Sequence, residues 1–198
     1  TKEKKMNINE RISHRAKLIN DNTEIFIKSV EDISAVVSDS IKNKNKIMFC
    51  GNGGSAAESQ HMAAEYCATL NHMNPRLGFA AISLTVDTSF ITAWTNDFGY
   101  EEVFARQVET LGRHGDVLIC YTTSGTSPNI VRAAKVAKSK GIKVVLFTGE
   151  NKKLEVKKYC DLILHAPSSN TAFIQEIHTI IGHEVCLDVE TRLAKNND

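Results

Sequence analysis

The stretch Lys46-Ile-Met-Phe-Cys-Gly-Asn-Gly-Gly-Ser55 constrains this chain more than any other. A short apolar run ends in a glycine-rich turn, and the turn opens into a segment with helical periodicity. The pattern predicts a buried strand, a tight turn and a helix in succession. Glycine lets the backbone approach a ligand closely, and the positive end of the helix dipole stands behind the turn. Phosphate is the anion such a place suits best. The motif is not a dinucleotide-binding Gly-x-Gly-x-x-Gly, because Ser55 and Ala56 follow Gly54. It also lacks the Lys-Ser/Thr of a P-loop. By itself it describes a ligand-free β–α turn almost as well.

The alternation continues along the chain. Gly78 to Thr85, Asp116 to Tyr121, Lys143 to Thr148 and Asp161 to His165 read as further strands. Helices are expected from Ser55, placed as an N-cap, to about Leu70, from Asp87 to about Thr95, and from Tyr100 to Leu111. Two more run from Pro128 to about Lys140 and from Ala172 to Arg192. Asn71 to Arg76 reads as a polar loop and Asn96-Asp-Phe-Gly99 as a turn. Ahead of the first strand, Asn9 to Asn43 reads as helix, with Ile25, Ile33, Val36, Val37 and Ile41 at helix-like spacing. Together these predict an α/β fold, a three-layer sandwich around a central, mostly parallel five-stranded sheet. Residues 1–45 form an N-terminal helical extension, and residues 46–194 carry the strand–helix units, in a single domain overall. The tail from Lys195 to Asp198 is expected to fray.

Composition narrows the function classes. Lys and Arg number 24 against 23 Asp and Glu, a net charge of +1, so nucleic acid is not expected as a partner. The Lys2 to Lys5 cluster reads as a solvated terminus. No apolar run reaches the roughly 18 residues of a membrane span, and no secretory signal opens the chain. A soluble, cytoplasmic protein with no membrane partner is therefore expected. Cys50, Cys67, Cys120, Cys160 and Cys186 are odd in number and widely spaced, which reads as reduced thiols.

Several polar residues have chemically useful positions. His61 and Glu65 are four apart on the helix expected from Ser55 to about Leu70, on one face and about 6 Å apart along the axis. They could hold a metal or a substrate, or simply pair at the surface. A second loop, Thr122-Thr-Ser-Gly-Thr-Ser127, again joins a strand to a helix. Its N–H groups and the hydroxyls of Thr123, Ser124 and Ser127 could wrap a phosphate, or Ser127 could cap its own helix. Open α/β sheets bind ligands at the carboxyl edge where both loops stand. On the last helix, Ile174, Ile177, Ile181 and Val185 form the buried stripe, with Gln175 and His183 on its flank. Their separation gives a rise of about 12 Å, so one ion reached by both needs a bent helix or a neighbouring subunit. His178 reads better as a satisfied core or interface histidine. Asp87 reads as a helix cap, and Asp97 could bond a sugar hydroxyl.

Taken together, these segments resemble the sugar isomerase (SIS) family, and within it the phosphoheptose isomerases, from about Lys46 to Leu193. The parts that carry the resemblance are Cys50-Gly-Asn-Gly-Gly-Ser-Ala-Ala57, His61-x-x-x-Glu65, Asp87-Thr-Ser89, Asn96-Asp-Phe-Gly99 and Glu102-Val-Phe-Ala-Arg-Gln-Val108. They continue with Gly115-Asp-Val-Leu-Ile119, Thr123-Ser-Gly-x-Ser-Pro-Asn129, Ile174-Gln-Glu-x-His178 and His183. The resemblance implies a flavodoxin-like phosphosugar-binding domain and a homotetramer with sites at subunit contacts. It implies interconversion of sedoheptulose 7-phosphate and D-glycero-D-manno-heptose 7-phosphate, for lipopolysaccharide or capsule heptose. Ser55, Thr123, Ser124 and Ser127 then fall on phosphate-binding positions, and Gly53 is counted among the substrate-binding residues. Asn52, Glu65, Asp97 and Gln175 fall on substrate contacts. One zinc per subunit is implied at His61, Glu65, Gln175 and His183, and Glu65 and His183 are the proton-transfer pair. Thr69 stands where the family carries arginine, and Ser168-Ser-Asn-Thr171 where it carries Ser-Asp-Asp-Thr; Ser169 thus replaces an acidic contact.

Two other readings share these motifs. One is a non-catalytic SIS protein that binds a replication initiator. The other is an isomerase for another ketose phosphate.

Overall fold

A computed structural model describes residues 6–151 and 154–194. The Lys2 to Lys5 cluster and the tail from Lys195 lie outside the described residues. The chain opens with two helices, α1 (Ile8–Asp21) and α2 (Thr23–Lys42). The expected single helix breaks at Asn22, whose φ of −119° and ψ of 14° are not helical. The cause is local: the Asn22 amide and the Thr23 hydroxyl bond back to the Leu18 and Ile19 carbonyls, competing with the helix backbone.

Five strands follow: β1 (Ile47–Gly51), β2 (Ala81–Ser83), β3 (Val117–Tyr121), β4 (Lys143–Thr148) and β5 (Leu162–His165). They form one sheet in the order β2-β1-β3-β4-β5, and every pairing is parallel. β1 and β3 are buried at every position, as a parallel sheet covered on both faces requires. β2 is shorter than the Gly78 to Thr85 run. It is an edge strand, so only three residues find ladder partners on β1. The crossover helices are α3 (Gly54–Cys67), α4 (Thr88–Phe98), α5 (Val103–Leu111) and α6 (Pro128–Ser139); α7 (Thr171–Ala194) closes the chain. Short 3-10 turns at Tyr100–Glu102 and Glu155–Tyr159 complete the described elements, the second unanticipated.

Two apolar layers sandwich the sheet. One face packs Ile47, Phe49, Ile119 and Phe147 against Ile33 and Val37 of α2 and Ile177, Ile181 and Val185 of α7. The other packs Met48, Leu118 and Leu146 against Val103, Phe104, Ile130 and Ala134 of α5 and α6. The alternation of strand residues between the two clusters is the strand period of two read directly from Ile47, Met48 and Phe49. No helix among the described residues is long and apolar enough to cross a membrane.

The strand order reverses direction of growth between β1 and β3. Their carboxyl ends define the crevice at which an open α/β sheet binds its ligand.

Candidate active site

The β1–α3 turn is built for a close approach. Gly53 takes φ of 59°, a conformation disfavoured for residues with a Cβ, and occupies the N-cap of α3. Ser55 is therefore not the cap but lies in the first turn, buried, with its N–H donating to the Asn52 carbonyl at 3.0 Å. The β3–α6 loop stands beside it. Thr122 accepts the Gly125 N–H at 3.2 Å, and the Ser124 hydroxyl accepts from Thr126 N–H and hydroxyl. Thr123 and Ser127 are half-buried and Ser124 is exposed. Ser127 occupies the N-cap of α6 ahead of Pro128, yet its hydroxyl makes no capping bond, which leaves it free for a ligand.

The two loops are tied together. Asn52 and Asn129 exchange amide hydrogen bonds in both directions, at 3.0 and 2.8 Å. Asn129 also accepts its neighbour's N–H from Ile130, and the Tyr100 hydroxyl donates to Asn52 at 2.9 Å. Asn129 and Tyr100 were not singled out for roles from sequence. The only signal was that both stand inside segments already marked, next to Pro128 and Gly99. Asp97 is exposed in the last turn of α4 and accepts from the Asn96 side chain. Asp87 caps α4, accepting the Phe90 N–H at 2.9 Å.

Helices α3 and α7 run side by side and parallel. The Gln175 amide lies within 2.7 Å of where a Cβ on Gly54 would stand. The Thr179 hydroxyl donates to Glu58 at 2.6 Å, and His61 meets His183. Gly182 also permits a close approach: a Cβ there would sit 2.9 Å from the Met62 sulfur. A cavity of about 240 Å³ opens at the amino-terminal ends of the pair, lined by Gly54, Ser55, Glu58, Gln175, His178 and Thr179.

Further along, His61, Glu65 and His183 come together. The two imidazole Nε2 atoms are 2.7 Å apart, so one donates and the other presents a bare nitrogen. Glu65 Oε1 is 3.6 Å from His61 Nδ1. Ligand atoms of all three lie within 4.8 Å of one another. Two imidazoles and a carboxylate are a donor set that suits zinc and other borderline divalent ions. Beside them Glu58 Oε1 is buried without a hydrogen-bond partner among the described residues, a further sign that the region is built around something polar. Burial raises the Glu58 pKa, opposed by the Thr179 bond and by the nearby imidazoles of His61 and His183. Sequence reasoning passed Glu58 over, although it is one helical turn before His61. Gln175 does not join the three; it stays with Gly54, about 12 Å back along α7. His178 is buried and bonded to the Thr148 carbonyl, and its pKa is lowered to about 4 by burial, so it is a neutral core residue.

The SIS domain model matches residues 12–149. The chain belongs to the SIS family. The phosphoheptose isomerase of Burkholderia pseudomallei (strain 1710b) is 47% identical over 167 residues, 84% of this chain and 83% of that protein. That of Akkermansia muciniphila is 46% identical over 164 residues, 83% of this chain and 85% of the other. Among solved structures, the phosphoheptose isomerase of Neisseria gonorrhoeae is 34% identical and superposes with a TM-score of 0.85, over 93% of this chain and 97% of that one. As a SIS domain the chain has its two hydroxyl- and glycine-rich loops at the β1/β3 crevice, and its His/Glu/His group where α3, which follows the first loop, meets α7.

Proposed function

We propose that this protein is a phosphoheptose isomerase that interconverts sedoheptulose 7-phosphate and D-glycero-D-manno-heptose 7-phosphate. One observation carries the reading: His61 and Glu65 on α3, whose amino terminus stands beside the two loops, meet His183 of the parallel helix α7 in one acid–base group. The rise from Gly54 to His61 is about 10 Å, comparable to a stretched seven-carbon sugar phosphate. A phosphate anchored at Ser55, Thr123, Ser124 and Ser127 then presents the carbonyl end to Glu65 and His183. Asn52, Gly53, Asp97 and Gln175 supply further contacts along the sugar.

The reaction moves a proton between neighbouring carbons with no net oxidation. Glu65 removes the proton from C1 of the ketose, and the electron pair forms the enediol while the carbonyl oxygen at C2 gains a proton. Glu65 returns its proton to C2, and the hydroxyl at C1 gives up its own to leave the aldehyde. His183 carries protons to and from these oxygens. Each positioned group contributes about 10²–10⁴-fold. His61, Glu65 and His183 would hold zinc, with Gln175 drawn from a second copy, and the ion when bound polarises the sugar carbonyl.

A homotetramer with sites at subunit contacts goes with this reading. Ile8 and Ile12 of α1 and Ile25 and Ile27 of α2 are exposed, and a second copy would cover them. All five thiols are free, which fits a reducing cytoplasm. The heptose product would serve lipopolysaccharide or capsule. Thr69 and Ser169 favour the neighbouring reading of another ketose phosphate as substrate, and product identification separates the two.

The test is NMR of purified, zinc-supplied protein with sedoheptulose 7-phosphate, beside Glu65→Gln. Conversion by the parent, slowed about 10²–10⁴-fold or more in the variant with an unchanged fold, is expected. Full activity in Glu65→Gln overturns the assignment of the base.

A further inference from the structure

The carboxyl end of α3 has no basic residue of its own in its last turn. Its final carbonyls nevertheless meet a cation, supplied by Arg76 from the loop that follows. Arg76 Nη2 donates to the Glu65 carbonyl at 3.0 Å, and Nη1 donates to the carbonyls of Tyr66 and Ala68 at 3.0 and 3.1 Å. These are the carbonyls a helix end leaves without partners, and a positive charge there is favoured by the helix dipole. The guanidinium also stacks on Phe79, 3.7 Å from the ring centre.

Arg76 does not stand alone. Its Nε donates to Glu190 of α7 at 2.8 Å, in a pair whose side chains are only 15% and 11% exposed. Glu190 accepts in turn from the backbone N–H of Leu70 and Asn71, at 3.0 and 3.3 Å, and from the Thr69 hydroxyl at 3.4 Å. The same α7 carries His183 two turns earlier, and α3 carries His61 and Glu65. The Arg76–Glu190 pair is thus the far fastening of the two parallel helices whose near fastening is the Thr179–Glu58 bond.

We propose that the Arg76–Glu190 ion pair is a latch that sets the register of α3 against α7 and so holds Glu65 and His61 across from His183. Arg76 and Glu190 are positioning residues and touch no substrate. A slide of one helix along the other by a fraction of a turn separates imidazoles that now meet at 2.7 Å. The phosphate loops stand at the opposite end of α3 and are fastened separately by Asn52 and Asn129, so the latch acts on turnover and not on phosphate anchoring. For catalysis the inference rests on the isomerase reading; for geometry it does not.

The experiment is histidine side-chain ¹⁵N NMR of the full chain, parent against Glu190→Gln, with Arg76→Lys as the second variant. Glu190→Gln keeps the shape and removes the charge. The expected result is displaced His61 and His183 signals with the His178 signal in place, since His178 is buried against Thr148 and reports an intact core. Kinetics on the same samples should give kcat lower by about ten- to a hundredfold with KM little changed. Arg76→Lys, which keeps a cation at the helix end but loses the fork, should fall between the two. Unchanged His61 and His183 signals in both folded variants overturn the latch. A rise in KM with kcat intact also overturns it. A parent that isomerises nothing while its variants show the shifted imidazoles sinks the isomerase reading and leaves the latch standing.

Discussion

At the scale of single residues, the chain uses its histidines in opposite ways. His61 and His183 are held where their ring nitrogens face each other, and His178 is enclosed where it must stay neutral. Its pKa of about 4 lies below the ordinary 6.5, so the unfolded chain binds more protons than the folded one between those values. Stability then rises with pH across the window. The contribution is fully present above about 6.5 and is lost as pH falls toward 4, by on the order of 3 kcal/mol. Urea unfolding of the parent at steps between these pH values should show that slope, and His178→Gln should flatten it. An identical slope in the variant would assign the acid sensitivity elsewhere. His178 was readable from the sequence as a core histidine because Ile174, Ile177 and Ile181 bracket it on the buried stripe. Glu58 was not, because a carboxylate on a helix is ordinarily a solvated one. Its burial comes from α7, which is more than 110 positions away in the chain.

At the scale of elements, strands were legible and ends were not. The interior strands β1, β3 and β4 are continuous apolar runs, and such runs carry their own signal. Asn22, Gly53 and the short β2 depend on side-chain competition, a positive φ and a missing ladder partner, which periodicity does not record. The two loops at the crevice were legible by composition, whereas their junction was not: the Asn52–Asn129 exchange joins positions 77 apart. That junction makes the loops one element in function. Asn129→Ala removes both amide bonds and should raise KM for the sugar phosphate about tenfold, with kcat nearly unchanged, since a net hydrogen bond is worth about 1 kcal/mol. Steady-state kinetics decide it; a kcat effect without a KM effect would place Asn129 with the acid–base group instead. The parallel register of α3 and α7 was likewise invisible in sequence. It emerges only from pairs such as Glu58–Thr179 and His61–His183.

At the scale of the whole molecule, the helical extension shares the core of the strand–helix units, because Phe26, Ile33 and Val37 pack into the same apolar layer as α7. We take residues 1–45 and 46–194 to behave as one cooperative unit. The exposed isoleucines of α1 and α2 mark the outer side of this layer. Light scattering on the purified protein should report four times the chain mass of 21.9 kDa. A monomer mass at working concentration would refute the tetramer and the second-copy role of Gln175. The anion end of the crevice has a separate consequence. Its proposed holders are a glycine turn, main-chain groups and hydroxyls, and neither loop contains a lysine or arginine. The main-chain part of that end is the same whatever side chain is attached to it, whereas Gly53, with its φ of 59°, and the hydroxyls are fixed by residue type. The residues at the sugar end, Thr69 and Ser169 among them, are ordinary side chains that one substitution replaces. On the proposed reading, a lineage built on this scaffold can therefore change the sugar it accepts in few steps, so long as the glycines and hydroxyls of the two loops are kept.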